Sequence, residues 1–190
     1  MLVAPTVAEW ISMMTALNYK VDKRPDAINI VGFRDNLSKV NYFDDTVATY
    51  SYNGSYWTSR YYPATTRPGL PNLIKPVNPK GAAIVVPGQY KDVYQIGGFK
   101  GYMALKQVGL LKVYRDNNKD SQFDHNSATI ESGHFGIHIH KAGIWSKLVG
   151  QNSAGCQVFQ KAKDYEEFMN QCSAVADKYG NKFTYTLLEI

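Results

Sequence analysis

Residues 40–62 read Val-Asn-Tyr-Phe-Asp-Asp-Thr-Val-Ala-Thr-Tyr-Ser-Tyr-Asn-Gly-Ser-Tyr-Trp-Thr-Ser-Arg-Tyr-Tyr, two runs rich in tyrosine, threonine and valine parted by Asn53-Gly54. β-Branched and aromatic side chains fit a pleated surface, and Asn-Gly supplies the positive φ angles of a tight hairpin. The stretch predicts two antiparallel strands. Outward from it, 27–34 alternates as a strand and 82–86 forms a short buried one, ended by Pro87-Gly88. Further strands are expected at 92–96, 101–108, 110–115, 134–140 and 182–190. Helical spacing is confined to two segments. Val7, Trp10, Ile11, Met14 and Leu17 mark 5–18, and Tyr165, Phe168, Met169, Cys172, Val175, Ala176 and Tyr179 mark 163–179, which Gly180 ends. Five prolines and two glycines make 63–81 a long ordered loop.

These elements add up to an α+β, β-rich single domain over 1–190. It has an N-terminal helix, a mixed or antiparallel β core, and a late helix near the site followed by a closing strand. A hydrophobic share of 44% with 19% charged residues describes a folded chain, and 190 residues suffice for one full core. No stretch approaches the 18 apolar residues of a membrane span, and Met1-Leu2-Val3-Ala4-Pro5-Thr6 lacks the basic and apolar regions of a leader. Two cysteines make no disulfide framework. The net charge of +5 suits an anionic partner, but no Lys/Arg block selects nucleic acid, and none is expected.

Chemistry concentrates at 137–159. Histidines alternate with β-branched residues up to His140, and twelve residues later Ser153-Ala154-Gly155-Cys156 forms a small-residue turn that presents a thiol. A thiol needs a base and an oxyanion donor, and a strand histidine with a glycine turn supplies both. Cys156 is the candidate nucleophile and His140 the base. Gly155 and Cys156 would supply oxyanion amides, while Ser153 would stabilise the turn or bond the imidazole. No acidic residue adjoins His140, which leaves a backbone carbonyl to orient it. Cys172 falls in the helical pattern and reads as a buried hydrophobe.

Ile139-His140, twelve residues, then Ser-Ala-Gly-Cys resembles the signature of L,D-transpeptidases, and the resemblance covers about 130–172. It implies that fold's catalytic segment at 130–172, with the helix and β-rich region over 1–81 as an accessory part. It also implies a cysteine enzyme acting on peptidoglycan stem peptides through an acyl-enzyme, by transpeptidation or hydrolysis, without a cofactor. His138, Lys141 and Gln157 would contact substrate. Two positions depart from the family: Lys141 stands where glycine usually follows the histidine, and Val158 where arginine usually follows the cysteine. Without a leader, the resemblance fits a phage-encoded lysin acting at the wall after lysis or from a virion.

Two rival readings stay open. His134, His138 and His140 on one strand face have the alternation of zinc ligands in a hydrolase. The aromatic region at 50–75 would also suit a non-catalytic virion or wall-binding protein. Finally, Asp116, Asn118 and Asp120 have the spacing that opens a calcium loop, although Ser121 replaces its glycine and Ser127 its last carboxylate. The stretch reads first as a solvated turn.

Overall fold

The computed structural model of the chain describes residues 3–190, so Met1 and Leu2 of the stretch read for a leader lie outside the described residues. Its strands are β1 (Ile28–Arg34), β2 (Asp45–Tyr52), β3 (Trp57–Thr65), β4 (Ala82–Val85), β5 (Gly88–Phe99), β6 (Tyr102–Gln107), β7 (Leu111–Asp116), β8 (Glu131–Gly133), β9 (Ile139–Lys141), β10 (Gln157–Phe159) and β11 (Phe183–Glu189). The helices are α1 (Val7–Ala16), α2 (Leu70–Ile74) and α3 (Ala162–Tyr179). None of them is long and apolar enough to cross a membrane. The architecture is a β-rich α+β fold.

Eight strands close into a barrel in the order β1-β11-β5-β6-β9-β10-β3-β2, and β4, β7 and β8 form a separate three-stranded sheet. The hairpin β2–β3 turns at Asn53-Gly54, through a four-residue connection: Tyr52 pairs with Trp57, Gly54 has φ +99° while Asn53 stays out of the left-handed region, and Asn53 Oδ1 accepts the amides of Ser55 and Tyr56. Two pairings are parallel, β1 with β11 and β9 with β10. A parallel pair cannot be joined by a tight turn. Residues 142–156 must therefore leave the end of β9 and travel back to the start of β10.

The core divides around the barrel wall. On one face, Ile30, Val47, Tyr62, Phe159 and Tyr185 pack with Tyr165, Phe168, Cys172 and Val175 of α3. On the other, Val31, Phe33, Ala48, Tyr50 and Leu188 meet Trp10 and Met14 of α1. Strand β1 is consequently buried on both sides, although its sequence alternates. Helix α1 begins with a capping box between Thr6 and Glu9, and Trp10 stacks on Tyr50 at 4.1 Å. Each large side chain buried here contributes about 1.5–3 kcal/mol.

Two expectations change. Of the strand foreseen at 134–140 only Ile139 and His140 lie in a strand, β9; residues 134–138 are irregular, and Gly136 among them takes φ +69°. The loop foreseen at 63–81 begins as the last residues of β3 and contains α2, whose first turn accommodates Pro71.

Candidate active site

The crossover between β9 and β10 is held by side-chain amides. Asn41, at φ +77°, accepts the Gly150 amide on Oδ1 at 2.7 Å and the Val149 amide on its carbonyl. The same Oδ1 accepts the amide of Leu70, which ties the start of α2 to the crossover. The Ser153 carbonyl takes hydrogen bonds from the Gly69 amide and from Asn72 Nδ2 at 2.7 Å. The proline-rich segment thus forms the outer support of the cysteine turn.

Within the turn, Ser153 is fully buried. Its hydroxyl donates to the Cys156 carbonyl at 2.8 Å and accepts the Gly155 amide at 3.1 Å. Gly155 has φ +127°, and a Cβ there would lie 2.5 Å from the Ala83 carbonyl oxygen of β4. Only glycine fits both conditions. From beneath, Gln157 donates Nε2 to the Gly155 carbonyl and accepts the Tyr185 hydroxyl at 2.8 Å.

Cys156 is half-buried and lines a cleft of about 370 Å³ with Asn72, Ala83, Arg115, His134 and Gly136. Its Sγ accepts the His138 amide at 3.4 Å and faces the Gly136 carbonyl at 3.7 Å. Val158 pairs with His140 in the parallel register, so both project to one face of the barrel. Cys156 packs with Val158 in one cluster and Phe99 contacts both His138 and His140, although neither imidazole lines the cleft of Cys156. The sulfur's hydrogen-bond partners among the described residues are backbone groups, and neither imidazole is one of them.

The imidazoles differ in tautomer. His140, 4% exposed, has Nδ1 2.9 Å from the Lys141 carbonyl. A carbonyl can only accept, so Nδ1 carries the proton and Nε2 is left as an acceptor. His138 has the opposite tautomer, because its Nδ1 accepts the Gln107 amide at 3.1 Å. Phe99 packs against both rings at 5.1 and 5.0 Å. Burial pushes His138 down to about 4, with the His140 and Lys106 charges adding to it. Burial also lowers His140, against the Lys141 carbonyl, which favours its charged form. The Cys156 thiol is pushed up by burial, opposed by the His138 amide and the Lys100 charge. At neutral pH the resting site therefore holds a thiol and neutral imidazoles.

The other residues singled out from sequence fall in distinct places. Ser153 holds the turn and does not reach an imidazole. Gly155 spends its amide on Ser153, so of the two amides expected to face an oxyanion, only that of Cys156 lacks an acceptor among the described residues. Lys141 acts on His140 through its carbonyl, while its Nζ sits 5.1 Å over the Tyr102 ring. Gln157 faces away from the cleft, fully buried, because its strand position points inward to Tyr185. His134 lines the cleft but does not continue the face of His138 and His140, since Gly136 intervenes. The zinc reading loses the alternation it rested on, and among the described residues no three His, Cys, Asp or Glu side chains form a metal-binding group.

Arg115 and Asn72 were missed by sequence reasoning. Arg115 is bonded through Nε to Glu131 at 3.0 Å and through Nη1 to the Gly81 carbonyl, and it lines the cleft from β7. No local signal links it to Cys156, forty-one positions away. Compared with protein-family models, curated protein sequences and solved structures, the chain finds no match.

Proposed function

We propose that the protein is a cysteine acyl-transfer enzyme of the L,D-transpeptidase kind, cleaving or exchanging a peptide bond of peptidoglycan stem peptides at Cys156. The observation that carries this reading is the Lys141 carbonyl at Nδ1 of His140, which leaves Nε2 free to take a proton beside the strand that Cys156 leads into. Nε2 removes the thiol proton as substrate arrives, and Sγ attacks the peptide carbonyl. The developing oxyanion turns to the Cys156 amide. The tetrahedral adduct then collapses, the imidazolium gives its proton to the departing amine, and a thioester remains. An incoming amine or water, deprotonated by His140, releases the acyl group and restores the thiol.

Arg115, ion-paired with Glu131, brings a guanidinium to the cleft wall, and Val158 stands where L,D-transpeptidases usually carry an arginine. The Arg115 guanidinium suits a stem-peptide carboxylate. The test is incubation of wild type, Cys156→Ser and His140→Gln with purified muropeptides, read by mass spectrometry. Wild type should yield processed products and a transient adduct on Cys156, while both variants lose at least about 10³-fold in turnover. Identical product profiles in wild type and Cys156→Ser would leave only a binding role for the cleft.

A further inference from the structure

The segment after β7 carries Asp116, Asn118, Asp120 and Asp124, with Gln122 between the last two. Counted from Asp116, these are positions one, three, five and nine of a calcium loop, and Gln122 stands at seven, where a backbone carbonyl serves. The chain is already wound around one another's oxygens. The Asp124 amide donates to Asp116 Oδ2 at 3.1 Å, and the Gln122 amide donates to Asp120 Oδ1 at 2.7 Å. Asn118 Nδ2 lies between Asp120 Oδ2 at 2.9 Å and Asp124 Oδ2 at 2.5 Å.

Spacing and winding alone would describe a solvated turn. Asp116 adds a different kind of observation. It is completely buried, its Oδ2 accepts an amide of the loop, and Oδ1 has no hydrogen-bond partner among the described residues. None of the three aspartates has an ion-pair partner among the described residues. A buried carboxylate oxygen without donor or counter-charge is costly, and a cation is the partner that answers both deficits.

We propose that residues 116–124 bind a divalent cation, calcium by its chemistry, through the carboxylates of Asp116, Asp120 and Asp124, the amide oxygen of Asn118 and the Gln122 carbonyl. All of these donors are hard oxygens and more than one side chain must turn to meet the ion, which suits calcium better than the strict octahedron of magnesium. The three carboxylates do not yet converge as a ready-made group. The Asn118 amide nitrogen occupies the gap between two of them, and the cation takes that place as the amide turns its oxygen inward. Ser127 at position twelve brings no bidentate carboxylate, so the affinity belongs to the weak class, on the order of 10⁻⁴–10⁻³ M. Binding would also brace the cleft. Asp116 ends the strand that carries Arg115, and a Cβ on Gly81 would lie 2.1 Å from the Asp116 carbonyl oxygen.

The test uses the full chain stripped with chelator, with sodium chloride at matched ionic strength as reference. About 10 mM calcium, tenfold or more above that affinity range, should raise the thermal midpoint by roughly 3–10 °C. Magnesium should do much less, and terbium should show tyrosine-excited luminescence that calcium displaces. Asp120→Ala changes an exposed side chain, folds without the cation, and should lose both responses; Asp116→Asn should weaken them. No midpoint shift and no luminescence in wild type would overturn the proposal. So would responses fully retained in Asp120→Ala. Neither readout depends on turnover at Cys156.

Discussion

The two cysteines sit in regions built on opposite principles. Cys172 lies inside α3, fully buried against the barrel wall, and burial alone drives its thiol far above the ordinary range. Cys156 lies at the end of the crossover, half-buried on the wall of a cleft of mixed polar and apolar lining, with backbone groups around its sulfur. The α3 region is held by apolar contact, in which Phe168 meets Phe159 at 4.8 Å. The crossover is held by side-chain-to-backbone hydrogen bonds from Asn41, Asn72, Ser153 and Gln157. Apolar contact is non-directional and fixes a shape by filling it. Hydrogen bonds are directional and can fix a strained turn while leaving its thiol at the surface.

The largest expected effect separates the thiols directly. Under native conditions iodoacetamide should label Cys156 at least about 10³-fold faster than Cys172, because the latter reacts only when the core opens. Peptide mapping by mass spectrometry reads both rates, and comparable labelling would erase the contrast. Next, Phe168→Ala should cost about 3–5 kcal/mol in urea unfolding. In the molecules that remain folded it should leave Cys156 labelling unchanged, and a matched rise in both labelling rates would show that the two regions open together.

The third effect is smaller and belongs to the crossover side. Folded His138 and His140 refuse protons that the unfolded chain accepts near pH 6.5. The unfolded state therefore binds more protons between pH 6.5 and about 4, and stability falls as pH drops through that window. His138 accounts for at most about 3 kcal/mol of this loss. Denaturant midpoints at several pH values, compared between wild type and His138→Gln, isolate its share. An unchanged acid slope in the variant would assign the loss to His140 or to carboxylates elsewhere.

Much of the fold could be read along the chain. The hairpin around Asn53-Gly54 and the apolar stripe of α3 are local statements, since a turn and a helix face are set by residues a few positions apart. The departure of residues 134–138 from the sheet was less legible, because glycine in an alternating run permits a strand as readily as a break. Its φ is decided by what lies around it. At the site, Cys156, His140 and the stabilising role of Ser153 were visible as residue types at a spacing. The inward turn of Gln157 was not, as its partner Tyr185 is twenty-eight positions away on another strand.

By itself the sequence determined which segments extend, which coil into helices, and where a thiol and an imidazole stand in the chain. Those outcomes follow from short-range sterics and from periodicity. Tertiary structure alone decided that β9 and β10 run parallel, that Ala83 presses on Gly155, and that Arg115 enters the cleft of Cys156. Barrel closure brings together residues whose separation along the chain carries no record of their nearness, and those contacts give the cysteine its surroundings.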